Sequence, residues 1–174
     1  MSSRTESGDG MTKLGFLVDN LGASQLGYYI SKNISSYLED NPQSNIACYY
    51  DNFERKCSQT NFATMNIIEA WDQSGAMVAT SENTAKKLLN FIGTRKKFFY
   101  IWDLGLFYDR IAGRKYTKIF NIDNVFIEED LTLICRNHVH AELIENNFNR
   151  KVKYTVDNFD INKIMEIVNN EWTN

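Results

Sequence analysis

Three stretches of this sequence place polar residues where a ligand could use them. The first is Asn20-Leu21-Gly22-Ala23-Ser24-Gln25, which follows the apolar run KLGFLVD and precedes a helical pattern. A helix entered this way presents free backbone N–H groups and a positive dipole end, both favourable to an anion. Gly22 would let a ligand approach the backbone. The same letters also describe a plain tight turn with Ser24 as helix cap, and both readings stay open. GxGxxG is absent and Asp51 is the nearest match to a ribose-binding acid, so dinucleotide binding is not expected.

The second stretch is Asp103, which closes KFFYIWD directly after Trp102. A carboxylate at the end of so apolar a strand is expected to be partly desolvated, which raises its pKa and suits a general base. The alternative is a cap for the next turn. The third stretch combines Thr80-Ser81, after AMVA, with Arg136-Asn137-His138, after LTLIC. Arg136 is a candidate for the rim of a ligand site. His138 and His140 lack a third ligand at suitable spacing, so no metal is expected. Neither a GxSxG elbow nor a P-loop is present.

The elements that would position these residues alternate strand and helix. Strands are predicted over 13–19, 45–51, 76–80, 97–103, 131–135 and 152–156. In the first helix, Leu26, Tyr29, Ile30, Ile34, Tyr37 and Leu38 form one apolar stripe, ending near Asn41-Pro42. Further helices are predicted through Phe62, Met65, Ile68 and Trp71, through Ala85, Leu88, Leu89 and Ile92 to Gly93, over 105–121, through Leu143, Ile144 and Phe148, and through Ile161, Ile164, Met165, Val168 and Trp172. The repeat predicts a doubly wound α/β domain, three layers α/β/α, around a mostly parallel six-stranded Rossmann-like sheet. With strand order 3-2-1-4-5-6, the first and fourth predicted strands are neighbours. Their C-terminal ends open a crevice between the 20–25 turn and Trp102-Asp103, with Thr80-Ser81 on the same rim.

Composition sets the frame. The chain has 174 residues, 43% hydrophobic and 24% charged, which suits one domain over 13–174 with its own core. The letters of 1–12 read as a disordered leader. Nineteen basic against 22 acidic residues give a net charge of −3, so nucleic acid is not an expected partner. No apolar run approaches the roughly 20 residues of a membrane span, and no membrane association is expected. Cys48, Cys57 and Cys135 are three in number and widely spaced, which favours reduced thiols and a cytoplasmic setting, with Cys135 buried and inert.

The succession GFLVDNLGASQLGYYI, FATMNIIEAW, GAMVATSENTAKKLL, KKFFYIWDL and LTLICRNHVHAELIENNFNRKVKYTVDNFDINKI resembles the N-terminal domain of GT-B-type glycosyltransferases over roughly residues 13–168. It also resembles small glycosyltransferase-like proteins of large tailed phages of marine cyanobacteria. The resemblance implies a protein acting in the host cytoplasm, or carried in the virion, with no obligatory metal; the chain has no DxD. It implies a sugar or nucleotide-sugar ligand in the crevice, Asp103 as the base for an acceptor hydroxyl, and Arg136 and Asn158 in the segments that lead to a donor domain. No other cofactor is implied. The chain ends at Asn174, where the donor domain would begin, so transfer is expected to need a homodimer or a partner subunit. The alternative is a non-catalytic Rossmann-like interaction module, a virion component or host-modulating factor.

Overall fold

The computed structural model describes residues 13–22, 24–52, 60–104 and 125–173. The expected leader over 1–12, Ala23, Cys57 and the expected helix over 105–121 lie outside these residues. β1 (Leu14–Asn20) leads into α1 (Gln25–Asp40), and β2 (Ile46–Asn52) follows. β3 (Ala63–Asn66) runs into a 3-10 turn over Ile67–Asp72. β4 (Ala76–Ala79) and α2 (Glu82–Leu89) come next, then β5 (Lys96–Ile101). β6 (Leu131–Cys135), α3 (His138–Phe148), β7 (Tyr154–Thr155) and α4 (Ile161–Thr173) complete the chain.

The strands form one sheet in the order β3-β2-β1-β4-β5-β6-β7, and every pairing is parallel. The fold is therefore the expected three-layer, doubly wound α/β/α arrangement, with seven strands rather than six. Alternate residues of each strand feed opposite layers. Phe16, Val18, Val78, Phe98 and Tyr100 pack with Ile30 and Ile34 of α1 and Ile164 and Val168 of α4. Leu17, Met77, Ala79, Phe99 and Leu133 pack with Ala85 and Leu88 of α2 and Ile144 of α3. Each large side chain buried in this way contributes about 1.5–3 kcal/mol.

The extra strand lies where a helix was expected. Phe62, Met65, Ile68 and Trp71 repeat every three residues, not every 3.6, and a three-residue period belongs to a 3-10 helix. Met65 instead pairs with Tyr49 at the sheet edge. In the 3-10 turn the inward pair is Ile67 and Ala70, while Ile68 and Trp71 are 70% and 51% exposed. The helix expected to close at Gly93 stops at Leu89, and Ile92 is 94% exposed.

β3 also changes the neighbourhood of β1. The order 3-2-1-4 holds, but the fourth strand is Ala76–Ala79, paired Leu14↔Ala76 through Leu17↔Ala79. The strand that leads to Trp102-Asp103, β5, sits one place further out. The expected adjacency of the first strand with 97–103 is thus corrected: β4 lies between them. Connections still leave β1 and β4 toward opposite edges of the sheet, so the switch point lies at their C-terminal ends.

Candidate functional site

At that switch point lies a crevice of about 520 Å3, within the usual range for small-molecule sites. Asp19 from the end of β1 and Leu26 from α1 form one side. Thr80, Ser81, Glu82 and Asn83, from the end of β4 and the start of α2, form the second. Phe99, Ile101, Trp102 and Asp103, from the end of β5, form the third.

Local sequence builds the two helix entrances. Ser24 caps α1, its hydroxyl accepting the Gly27 N–H at 3.0 Å. Gly22 N–H is taken by the Asn20 carboxamide oxygen at 3.2 Å. A Cβ on Gly27 would lie 2.8 Å from the Gly22 carbonyl oxygen, so glycine there lets α1 close on the turn. Ser81 and Thr84 form a reciprocal capping box: Ser81 Oγ accepts the Thr84 N–H and Thr84 Oγ1 accepts the Ser81 N–H. The Thr80 hydroxyl donates to the Leu17 carbonyl at 2.9 Å and ties β4 to β1.

Polar contacts join the crevice to β2. Asn83 Nδ2 donates to Asp19 at 2.9 Å and to Asp51 at 3.3 Å, and Lys87 pairs with Asp51 at 2.5 Å. These exposed contacts are worth little stability each; what they do is fix carboxylate positions. Asp51 is thereby engaged by two side chains of α2, which does not suit it to a ribose diol.

Of the residues expected to form the site, Thr80, Ser81, Trp102 and Asp103 line the crevice. Asn20, Gly22, Ser24 and Gln25 form the adjoining entrance to α1. Trp102 is buried, but Asp103 is exposed, so the desolvation expected for its carboxylate is not found: the strand's apolar character ends one residue before it. Arg136 does not line the crevice. Its guanidinium carbon lies 3.9 Å from the centre of the Trp102 ring, and its Nε lies 4.0 Å from the Asp157 carboxylate. Asn158 lies elsewhere, in a second cleft of about 410 Å3 between α1 and the turn that precedes α4.

Sequence reading missed Asp19, Glu82 and Asn83, whose convergence depends on β4 lying beside β1. His140, weighed in the sequence only as a metal ligand, is buried in the first turn of α3. Burial holds this imidazole below its ordinary pKa and Arg136 adds to the effect, against a hydrogen bond to the Ile101 carbonyl and the charge of Asp103. Its Nδ1 has no partner among the described residues. Asn137, not a histidine, caps α3 by accepting the His140 N–H. Cys135 is buried, and burial pushes its thiol up to about 12. Among the described residues no cluster of three or more His, Cys, Asp or Glu could hold a metal, and no helix is long and apolar enough to cross a membrane.

No family model, curated protein or solved structure matches the chain.

Proposed function

We propose that this chain is a glycosyltransferase-like protein that binds a sugar or a nucleotide-sugar in the crevice at the ends of β1, β4 and β5. The observation that carries the reading is the crevice itself. It is ligand-sized, stands at the switch point of a doubly wound parallel sheet, and joins an apolar wall of Leu26, Phe99, Ile101 and Trp102 to polar groups of Asp19, Ser81, Asn83 and Asp103. The apolar faces of a pyranose suit the first set and its hydroxyls the second. The fold alone supports many chemistries; glycosyl chemistry is named because of the resemblance to GT-B N-terminal domains.

In this reading Asp103 accepts the proton of an acceptor hydroxyl as that oxygen bonds to the anomeric carbon of a nucleotide-sugar donor, while the bond from that carbon to the diphosphate breaks and the nucleoside diphosphate leaves. Its carboxylate is exposed and becomes desolvated only when a ligand fills the crevice. Donor groups outside the crevice, from another domain or a partner subunit, complete the reaction. Sugars and nucleotide-sugars should raise the melting temperature, because a ligand that binds only the folded state must stabilise it. Asp103→Asn should retain the fold and the ligand-induced shift while losing turnover. A flat thermal screen across sugars and nucleotide-sugars, or full turnover in Asp103→Asn, would count against the assignment.

A second reading, a non-catalytic interaction module, is favoured by the exposed Ile68, Trp71 and Ile92. Trp71 lies against Phe91, its ring centre 5.2 Å away, which brings the 3-10 turn and the loop after α2 together. Exposed apolar groups of this kind mark contact surfaces. Recovery of a stable partner, lost on Trp71→Ser with sugar binding unaffected, would support this role instead.

A further inference from the structure

The charge around the crevice bears on which sugar it accepts. Three carboxylates, Asp19, Glu82 and Asp103, line it, and no Lys, Arg or His does so among the described residues. Two cations on flanking elements are already engaged: Lys87 by Asp51, and Arg136 by the Trp102 ring and Asp157.

Backbone donors are engaged as well. A helix N-terminus attracts phosphate through its free N–H groups, yet at both entrances side chains have taken several of them. Gly22 N–H goes to Asn20, Gly27 N–H to Ser24, and Ser81 and Thr84 N–H to each other's hydroxyls. Among the described residues, a phosphate here would meet three carboxylates and no lining cation. An ammonium group has three donors and no acceptor, the complement of acceptor-only carboxylates.

We propose that the crevice selects an amino sugar over a phosphorylated one, with Asp19 and Asp103 as the residues that set this preference. The inference rests on the reading of the crevice as a sugar site and concerns its specificity. A donor diphosphate is then held by groups outside the crevice.

The test is equilibrium binding of glucosamine, glucose and glucose 6-phosphate to the full chain, at low and at high salt. Glucosamine should bind about tenfold more tightly than glucose, and glucose 6-phosphate about tenfold more weakly, as expected for charge complementarity in a partly open site. Salt should compress both differences. Asp19→Asn should reduce the preference for glucosamine over glucose, and Asp103→Asn, at an exposed position, gives the same test if the first variant is poorly folded. Equal affinity for the three sugars, or tighter binding of glucose 6-phosphate, overturns the inference while leaving the sugar site standing. Preference for glucosamine that persists unchanged in high salt and in both variants also overturns it. Failure of all three sugars to bind removes the sugar site and the inference together.

Discussion

The hydroxyl of Tyr100, near the C-terminal end of β5, accepts the N–H of Phe159 at 3.1 Å while donating to the Val156 carbonyl at 2.7 Å. Phe159 has a φ of 54°, in the left-handed region that bulky side chains rarely adopt, and Asn158 before it has 51°. One phenol thus holds both ends of a strained turn. That turn carries Asp157, which faces Arg136, which covers Trp102 on the crevice wall.

Tyr100→Phe should therefore cost about 1–3 kcal/mol, because a buried N–H and a buried carbonyl lose their partner while packing volume is kept. Denaturant unfolding measures this. If Arg136 is positioned through the same turn, the fluorescence of Trp102 should also change in the folded variant. An unchanged midpoint would show that the turn holds itself.

Ser81→Ala removes the acceptor for the Thr84 N–H and opens one half of the capping box at the crevice rim. A loss of about 1 kcal/mol is expected, as for other caps. α2 is only eight residues long, so hydrogen exchange should accelerate through its first turn before other helices are affected.

Gly27→Ala sets two effects against each other. Alanine in place of glycine inside a helix gains about 1 kcal/mol, but the new methyl would lie 2.8 Å from the Gly22 carbonyl oxygen, a backbone atom that cannot rotate away. Forced overlap costs about 1–3 kcal/mol, so net destabilisation is expected, with weaker sugar binding as the turn moves. A stabilised variant would mean that the turn yields freely.

Acid should weaken the fold through His140. Its pKa is lowered in the folded state, so the unfolded chain takes up the proton first as pH falls through about 6.5. The contribution of the neutral ring is complete above that value. It is lost progressively below it, until the lowered folded pKa is reached. His140→Gln should reduce the pH dependence of the denaturation midpoint in this window, and an unaltered slope would show that other groups govern it.

How much of this could be read in the letters depended on distance along the chain. The stripe of α1, its Ser24 cap and its end before Asn41-Pro42 are local signals, and all are found. The apolar face of α4, from Ile161 to Val168, is equally local. β3 escaped because a four-residue edge strand, with Ala63 and Thr64 exposed and Met65 and Asn66 half-buried, carries no alternation. Asp103 looked buried because the run before it is, whereas the strand ends and the carboxylate emerges. The link from Asn83 to Asp19 and Asp51 spans 64 and 32 residues. The bond from Tyr100 to Val156 spans 56. Such pairs follow from strand order, which periodicity does not encode.

Cys48 and Cys135 are both fully buried, Cys48 in the layer of α1 and α4 and Cys135 in the layer of α2 and α3. Burial raises both thiols above their ordinary range, so neither reacts as a thiolate until its layer opens. The two sulfurs are thus built-in clocks, one for each side of the sheet. The difference between their labelling rates reads whether the halves of the domain come apart together or in turn.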